Sequence, residues 1–517
     1  MVSFFNEVLD NPIHYGFLVL LPLACMAVVF GRWRRYPPGP RGYPIIGNMG
    51  MMDQLTHRGL AKLAALYGGL VHLKMGHKHM LVVSTPEMAR EVLQAQDHVF
   101  ANRPATVAIS YLTYDRADMA FGNYGPFWRQ MRKICVMKVF SRKRAESWAA
   151  VGHEVDSAVE AIKKSIGSPV NLGELVFCLT RNVTYKSAFG SISERGQEEF
   201  VKILQEFSRL FGAYNVTDFF PWAGWIVGRK FRKRLEEARS SLDGFIDNII
   251  EEHVEKRRRR MQRIEIHAGS DCKDDEMDMV DEMMAFYTEN VGDERVESES
   301  IKFTKDNIKA LIMDVMFGGT ETVASAIEWA MAELMRNPEH LKKVQRELDE
   351  VVGLSRPVNV ADLDSLTYLK AVLKETLRLH PPIPILRHET TQNTTISNYF
   401  IPAKTEVVVN AWAIGRDASA WPEAHKFDPA RFLKENAPDF KGSDFEFLPF
   451  GAGRRSCPGM QLGLYTLNLT TARLAHCFDW KLPGGMHPSD LSMDDMFGLT
   501  APRASRLVAV PTYRLKC

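Results

Sequence analysis

The pattern at the amino terminus is one uninterrupted apolar run. Residues 15–30 are almost wholly apolar, and no residue from position 11 to 31 carries a formal charge. With its flanks the run approaches the ~20 residues that a helix needs to span a bilayer. Acidic residues precede it and arginines directly follow, so the positive-inside rule places the amino terminus in the lumen and the rest of the chain in the cytosol. A cleavable signal peptide would carry basic residues before the run, and none is present. Residues 1–31 are therefore predicted to form a membrane anchor with one transmembrane helix.

After the anchor, prolines mark a hinge and helical spacing takes over. Pro37-Pro38-Gly39-Pro40 excludes a helix because proline fixes φ and lacks an N–H. We assign residues 32–48 to a stiff hinge and residues 49–517 to one large domain. Apolar residues recur at helical spacing from about 123 to 380, whereas the β-branched pieces 79–84 and 405–410 predict short strands. The predicted fold class is mainly α with small β-sheets.

One long helix is predicted together with both of its ends. Thr304 is a suitable N-cap, and Asn337-Pro338 stops the pattern. Gly318 and Gly319 lie near the middle, where each glycine costs about 1 kcal/mol relative to alanine. We expect them to open the helix locally, so that water and a ligand are held there; a merely weak helix is the alternative.

A second helical pattern leads into a charged stretch. Its apolar positions are Leu242, Phe245, Ile246, Ile249 and Ile250. The basic run 256–260 follows, and then the acidic stretch 271–282. Because cations are favoured at the carboxyl end of a helix, we predict that the helix ends in the basic run and that a solvated loop follows.

Composition narrows the function. The 517 residues are 45% apolar and 25% charged, which is the balance of a folded globular protein. The 65 basic and 63 acidic residues give a net charge of +2, so no global field attracts nucleic acid. The seven cysteines are an odd number without Cys-x-x-Cys spacing, which indicates a reducing compartment. A thiolate is then available as a metal ligand.

The sequence around Cys457 has the form of a ligand loop. Phe450-Gly451-Ala452-Gly453-Arg454-Arg455-Ser456-Cys457-Pro458-Gly459 leads directly into an apolar helical run. Backbone N–H groups at a helix start donate to a sulfur placed there, and the helix dipole favours its negative charge. We therefore expect Cys457 to be a stabilised thiolate.

This loop matches Phe-x-x-Gly-x-Arg-x-Cys-x-Gly completely, and the chain thereby resembles the cytochrome P-450 family of haem-thiolate monooxygenases. The resemblance implies a cytochrome P-450 fold, haem b (iron protoporphyrin IX) as cofactor and Cys457 as the axial ligand of the iron. It also implies that Phe450 packs near the sulfur, that Gly451 belongs to the haem-binding loop and that Arg455 pairs with a haem propionate. Thiolate donation to iron favours O–O cleavage.

Two further segments resemble haem-facing parts of the family. Gly318-Gly319-Thr320-Glu321-Thr322 is similar to the oxygen-binding groove, which implies that Glu321 and Thr322 relay protons to dioxygen through water. Val323 departs from the Thr or Ser that is common there. Trp128 and Arg132, four residues apart after the helix start Gly125-Pro126, are similar to the Trp-x-x-x-Arg pair that contacts the propionates.

Glu375 and Arg378 lie three residues apart on one helix face, which is a common structural pair by itself. The resemblance implies that they interlock with Arg431 of a Pro-x-Arg-Phe segment and lock the core behind the haem. Ala430 stands where the family often has Glu, which removes one peripheral contact. A further propionate contact is implied after the segment His380-Pro381-Pro382, and both Arg387 and His388 remain candidates for it.

Within the family, the chain resembles the plant microsomal enzymes and, among these, the ferulate (coniferaldehyde) 5-hydroxylases. The segments 138–148, 204–213, 312–324 and 497–502 carry this resemblance. It implies 5-hydroxylation of guaiacyl phenylpropanoids (coniferaldehyde, coniferyl alcohol, ferulate) in syringyl lignin biosynthesis. The partners that it implies are O2, NADPH-cytochrome P-450 reductase and the endoplasmic reticulum membrane, with residues 49–517 as the cytosolic catalytic domain.

A small flat substrate predicts an apolar site with few polar anchors. The residues that we expect to line it are Phe211, Tyr214, Val315, Phe317, Gly318, Ile383, Ile385 and Phe497. The cationic segment 129–144 either steers an acidic reductase surface to the domain or is simply a solvated face.

Three other functions remain open from the sequence. A hydroxylase of flavonoids or of coumaroyl esters would share every haem segment and differ only in the pocket. A haem-thiolate isomerase and a non-enzymatic haem-binding protein are the other two, and neither needs the proton relay of Glu321 and Thr322. That pair therefore favours a monooxygenase.

Overall fold

The computed structural model describes residues 35–139, 145–189, 197–212, 214–220, 228–266, 279–284, 286 and 303–515. The predicted anchor, the end of the cationic segment and most of the acidic stretch 271–282 lie outside the described residues.

Helices make up most of the domain, as the sequence predicts. The α-helices are α1 (His57–Tyr67), α2 (Pro86–Arg90), α3 (Val107–Leu112), α4 (Pro126–Ile134), α5 (Ala145–Lys163), α6 (Leu172–Phe189), α7 (Gln197–Gly212), α8 (Val216–Phe219), α9 (Arg229–Ile266), α10 (Met279–Met284), α11 (Lys305–Arg336), α12 (Pro338–Val351), α13 (Thr367–Leu379), α14 (Ala411–Ile414) and α15 (Met460–Cys477). Single turns of 3-10 helix lie at Met49–Gln54, Val360–Ser365, Pro429–Leu433, Gly453–Arg455, Pro483–Gly485 and Pro488–Asp490, and π-helical turns lie at Glu91–Ala95 and Cys135–Val139.

The strands form small sheets beside the helices. They are β1 (Leu70–Met75), β2 (Lys78–Val83), β3 (Val170–Asn171), β4 (Ile385–Glu389), β5 (Thr394–Ile396), β6 (Tyr399–Ile401), β7 (Glu406–Asn410), β8 (Phe478–Lys481) and β9 (Val508–Tyr513). The largest sheet has the order β1-β2-β7-β4. Its β2 and β7 are the two predicted strands, and they pair in parallel with Leu81 opposite Val407. The other sheets have the orders β3-β9-β8 and β5-β6.

The central helix α11 begins and ends where the sequence predicts. Thr304 and Asn307 form a capping box, in which each side chain accepts from the backbone N–H of the other at 3.0–3.1 Å. The helix ends at Arg336 with Asn337 as its C-cap. It is apolar and long enough to cross a membrane, but it lies in the core, where it packs along α6 and against α13 and α15. Its hydrophobicity therefore reflects burial within the domain.

The proline hinge is hydrogen-bonded to two of the sheets. Pro38 O accepts from His72 N on β1 at 2.9 Å, and Arg35 O accepts from Phe400 N on β6 at 2.8 Å. A Cβ added at Gly39 would lie 2.0 Å from His72 O, so only glycine fits there. The chain enters the domain along a defined path.

The prediction for the charged helix was wrong in its end point. The five apolar positions from Leu242 to Ile250 are buried as expected. The helix α9, however, continues through the basic run 256–260 to Ile266. Ion pairs one turn apart, such as Arg259 with Glu255 at 3.1 Å, support helix through this run.

Candidate active site

The Cys457 loop is a tight glycine turn that leads into α15. Gly451 and Gly453 both have φ +66°, a conformation that glycine adopts without strain. A Cβ at Gly453 would lie 2.2 Å from Leu93 O, so the loop also presses closely on the π-helical turn that contains Leu93. The Cys457 N–H donates to Phe450 O at 2.9 Å and closes the turn. The glycines predicted from sequence therefore set the position of the sulfur.

The Cys457 side chain lies at the wall of an enclosed space. The residue is accessible, yet surrounding protein raises the pKa of its thiol through burial. The Gly459 N–H and the Arg132 charge both lower that pKa without overcoming the effect of burial. The helix start therefore contributes as expected, but it does not by itself make Cys457 a thiolate. Binding of a metal ion deprotonates such a thiol.

Three arginines lie together beside this loop: Arg455 is buried, and Arg103 and Arg132 are partly buried. Arg455 donates to Ala101 O at 2.7 Å and to Gly122 O at 2.5 Å. Burial, followed by the Arg103 charge, lowers the pKa of Arg455 to about 8. Burial, followed by the Arg132 charge, lowers the pKa of Arg103 to about 10. The three guanidinium groups thus repel one another at close range.

Among the described residues, none of these arginines forms an ion pair with a carboxylate. Asp118 and Asp314 act on Arg455 only without an ion-pair contact, and burial and mutual repulsion still lower its pKa, so the cluster favours a further anionic partner. The two propionates of haem b fit that role. Arg132 also donates to Ser456 O at 2.5 Å, which connects the cluster to the cysteine loop.

Trp128 packs against this arginine cluster. Its ring lies 4.0 Å from the Arg455 guanidinium and 5.5 Å from that of Arg132. Its indole N–H donates to Met119 O at 2.9 Å. In this structure the ring of Trp128 stacks on the two guanidinium groups, and the propionate contact implied for Trp128 stays a prediction.

The two candidates for the further propionate contact, Arg387 and His388 on β4, have different partners in the structure. Arg387 is paired with Glu406 at 2.8 Å and donates through Nε to the same carboxylate at 2.9 Å. His388 is buried, and its Nδ1 bonds to Phe100 O at 2.8 Å. The charges of Arg103 and Arg455 help to lower the pKa of His388, after burial, so His388 faces the arginine cluster. The geometry favours His388 as the additional propionate contact.

One part of the central helix α11 is exposed toward the same enclosed space as Cys457. We call this part the window. Residues 307–313 and 324–335 of α11 are all buried. Between them, a stripe of partly or fully exposed positions runs along one side, and it comprises Asp314, Val315, Gly318, Gly319, Glu321, Thr322 and Val323. A Cβ at Gly463, near the start of α15, would lie 3.7 Å from Val323 Cγ2. The helix that follows Cys457 thus meets α11 at the window.

The expected opening of the helix is absent, because α11 is continuous through both glycines. A Cβ at Gly319 would lie 2.7 Å from Thr184 Oγ1 on α6, whereas a Cβ at Gly318 would meet nothing within 4 Å. Gly319 therefore permits close helix packing, and Gly318 leaves room in the window. The open space at Gly318 therefore lies beside a continuous helix α11.

Glu321 and Thr322 occupy the window with different partners. Thr322 Oγ1 donates to Gly318 O at 2.6 Å. Burial raises the pKa of Glu321, while the nearby hydroxyls of Thr500 and Ser208 oppose that shift. A carboxyl group with a raised pKa can carry a proton near neutral pH, which suits general acid catalysis.

Glu375, Arg378 and Arg431 interlock in the core. Arg378 donates to both oxygens of Glu375 at 2.7 Å, and Arg431 Nε donates to Glu375 Oε1 at 3.2 Å. Glu375 and Arg378 are fully buried. Arg378 also donates to Gly415 O and Ala424 O, so this clasp ties α13 to the segment before the cysteine loop. Ala430 takes no part in it.

Some of the expected substrate residues meet in an aromatic cluster. Phe211 and Phe317 lie with ring centroids 5.8 Å apart. Phe207 joins them at 5.6 Å from Phe211, and Phe121 lies 5.3 Å from Phe211. Val315 is packed against the same core. Phe121 is partly exposed and Phe317 directly precedes Gly318 of the window, whereas Phe207 and Phe211 are fully buried behind them.

Other residues that are expected to line the substrate site lie near the segment that follows Phe497. A Cβ at Gly212 would lie 2.6 Å from Gly498 C, so the segment after Phe497 crosses the end of α7. Ala501 N donates to Pro382 O at 2.9 Å, which places this segment beside Ile383. Phe497 also contacts His57 at 5.7 Å between ring centroids.

Tyr214 and Ile385 belong to a separate core around the first sheet. Tyr214 OH donates to Glu406 at 2.7 Å, and the Arg387 guanidinium lies 4.6 Å from its ring. The Tyr214 hydroxyl is thus engaged within the protein and is not a free anchor for a ligand.

Arg103, Phe121 and Phe207 did not emerge from the sequence. Each is a single residue of ordinary type without a spacing pattern around it, and each gains its role from contacts with residues far along the chain. A sequence signal for them is lacking.

Comparisons with known proteins agree with this site. The family model for cytochrome P-450 matches residues 37–508. Cytochrome P-450 84A1 of Arabidopsis thaliana is 64% identical over 485 residues, covering 93% of this chain and 92% of its own. Cytochrome P-450 84A4 of the same plant is 54% identical over 488 residues, with 93% of each chain covered.

More distant proteins share the same family. Premnaspirodiene oxygenase of Hyoscyamus muticus is 40% identical over 483 residues, covering 93% of each chain. A zebra fish cytochrome P-450 solved with progesterone superposes with a TM-score of 0.72 at 27% identity, covering 88% of this chain and 99% of its own. With its cysteine loop, its arginine cluster and its clasped core, the chain therefore belongs to the cytochrome P-450 family of haem-b monooxygenases.

Proposed function

We propose that this monooxygenase hydroxylates position 5 of guaiacyl phenylpropanoids such as coniferaldehyde, coniferyl alcohol and ferulate. The observation that supports it most is the window of α11, beside which lie the rings of Phe121 and Phe317, with Phe211 packed against both. An aromatic wall beside the Cys457 loop suits a flat phenolic ring better than a bulky or globular ligand. The four segments similar to ferulate 5-hydroxylases include Phe211 and Phe317, so the resemblance and the aromatic wall coincide.

Cys457 and the basic cluster of Arg103, Arg132, Arg455 and His388 would hold haem b, which supplies dioxygen activation when it is bound. The remaining steps fall to the protein. The aromatic wall orients the ring and excludes water from its face. Burial raises the pKa of Glu321, which suits it to donate a proton, and Thr322 presents a hydroxyl one residue away. Together they would deliver protons to the reacting oxygen through water, while NADPH-cytochrome P-450 reductase supplies the electrons.

We also place the enzyme on the cytosolic side of the endoplasmic reticulum membrane, anchored by residues 1–31. Cytochromes P-450 of plants are generally anchored there. The hinge contacts of Arg35 and Pro38 support a rigid exit toward such an anchor. Deletion of residues 1–31 should release the protein from microsomes washed with alkaline carbonate, whereas retention in the membrane would contradict a single anchor.

The substrate proposal is tested by competition in microsomes that contain a plant reductase. Coniferaldehyde, ferulate, coniferyl alcohol and a coumaroyl shikimate ester are offered together with NADPH, and the products are identified by mass. We expect 5-hydroxylated guaiacyl products. Hydroxylation of the coumaroyl ester alone, together with a normal reduced carbon-monoxide spectrum, would overturn the substrate and leave the family unaffected.

A further inference from the structure

Two acids, Asp118 and the partly buried Asp314, lie side by side between the central helix and the loop that follows α3. Asp118 is fully buried in that loop, and Asp314 lies on α11 one turn before Gly318. Asp314 Oδ2 accepts from the backbone N–H groups of Met119 and Ala120 at 2.8 and 3.1 Å. Because these are the two residues directly after Asp118, the two carboxyl groups are neighbours.

The hydrogen-bond pattern requires a proton between the two carboxyl groups. Asp118 Oδ1 accepts from Phe121 N at 3.1 Å, but its Oδ2 is buried and finds no donor among the described residues. Two adjacent buried carboxylates repel each other, whereas a protonated Asp118 can donate from Oδ2 to Asp314. One proton therefore supplies the missing bond and removes one charge.

The surrounding charges agree with a shared proton. Burial and then the Asp314 charge raise the pKa of Asp118 well above its usual range, and burial raises the pKa of Asp314 to about 7. Arg455 lowers the pKa of Asp314, and Asp118 interacts with Arg103. Burial raises the pKa of Cys135 to about 12, so this neighbouring thiol stays neutral.

The loop that follows α3 depends on hydrogen bonds to the rest of the protein. Tyr114, Asp115 and Arg116 have φ of 54°, 56° and 62°, a left-handed run that is unfavourable for residues other than glycine. Outside contacts hold it, including Tyr114 OH to Asp243 at 2.7 Å and Asn307 Nδ2 to Ala117 O at 2.8 Å. The acid pair holds the next part of the loop, which carries Phe121 against Phe211.

We propose that Asp118 and Asp314 share one proton, and that this pair is a positioning device that holds Phe121 in the wall of the substrate site. The proposal rests on the proposed function only in taking that wall as the aromatic substrate site. The acids act through the backbone N–H groups of residues 119–121.

The direction of the pH effect follows from the raised pKa. When the loop detaches, both acids return toward the ordinary aspartate range, so the attached loop binds a proton more tightly than the detached one. Attachment therefore weakens as the pH rises above the ordinary aspartate range, by at most about tenfold per pH unit, until the shared proton is lost. An amide at position 118 keeps a permanent donor and removes the part of this dependence that the Asp118 proton contributes.

The first experiment is hydrogen exchange of the Met119 and Ala120 amides in the full-length haem-loaded protein between pH 5 and 8, corrected for intrinsic exchange. We expect protection in the wild type to fall as the pH rises across this range, and protection in D118N to fall less. D306N, which changes an exposed acid at the start of α11, is the matched control and should behave as wild type. A wild-type profile without pH dependence, or a D118N profile equal to wild type, would overturn the proposal.

The second experiment separates KM from kcat for coniferaldehyde at pH 7. D118A, which removes both bonds of Asp118, should raise KM about tenfold and leave kcat within about twofold, and D118N should restore KM. Equal losses in D118A and D118N would contradict a positioning role. Absence of 5-hydroxylated product in the wild type would reject the proposed function, while the exchange profile would still decide the acid pair.

Discussion

At the residue scale, Gly318 and Gly319 are neighbours with opposite surroundings. A side chain at Gly319 would press on Thr184 of α6, whereas a side chain at Gly318 would enter open space in the window. We expect G319A to destabilise the fold by about 1–3 kcal/mol through overpacking, and G318A to stabilise it by up to about 1 kcal/mol because alanine favours the helix. Thermal unfolding of the two variants measures this difference.

T184A offers a matched test of the same contact. If the clash with Thr184 is the cause, the double variant T184A/G319A should regain most of the stability lost in G319A. An equal loss in the double variant would place the cause elsewhere in α11.

The proton relay is also a property of single residues. T322V removes the hydroxyl at similar volume, and E321Q removes the acid; each should lower product formation about 100-fold, which is within the range for general acid catalysis. NADPH consumption should fall much less, with peroxide formed in place of product. T322S keeps the hydroxyl and should stay near wild type. Product per NADPH is the measurement, and unchanged coupling in T322V would exclude Thr322 from the relay.

At the element scale, the clasp joins α13 to the segment that precedes the cysteine loop. Glu375 is fully buried and accepts from both Arg378 and Arg431. E375Q leaves buried guanidinium groups without their carboxylate, so we expect a loss of about 3–5 kcal/mol. The exposed pair Lys426–Glu423 is the control, because E423Q should cost only about 0–1 kcal/mol. Urea unfolding read by the reduced carbon-monoxide spectrum compares them, and equal losses would contradict the clasp.

The elements differ in how far the sequence predicts them. The helix α11 carries its own caps in Thr304 and Asn307, and the Cys457 turn carries its own glycines, so local patterns suffice for both. The end of α9 was predicted too early because ion pairs along the helix outweighed the basic run. The cation cluster draws Arg103, Arg132 and Arg455 from distant segments, and no local pattern encodes that encounter. The same holds for Asp118 and Asp314.

At the scale of the whole molecule, the exposed start of the cationic segment bears on electron supply. Arg129 and Lys133 are exposed on α4, while Arg132 of the same helix turns to the haem-binding cluster. If they steer an acidic reductase surface, raising ionic strength should slow NADPH-supported turnover severalfold, because salt screens exposed charges. Peroxide-supported turnover needs no reductase and should be spared; equal slowing of both reactions would reject the steering role.

The proposed reaction combines a haem-thiolate domain with an aromatic substrate site, and a single measurement tests whether the two act together. Purified enzyme with reductase, NADPH and oxygen-18 gas is given coniferaldehyde, and the product is compared with authentic 5-hydroxyconiferaldehyde. We predict a product that co-migrates with the standard and contains one oxygen-18 atom. A product hydroxylated elsewhere, or one whose new oxygen comes from water, would contradict the proposed reaction.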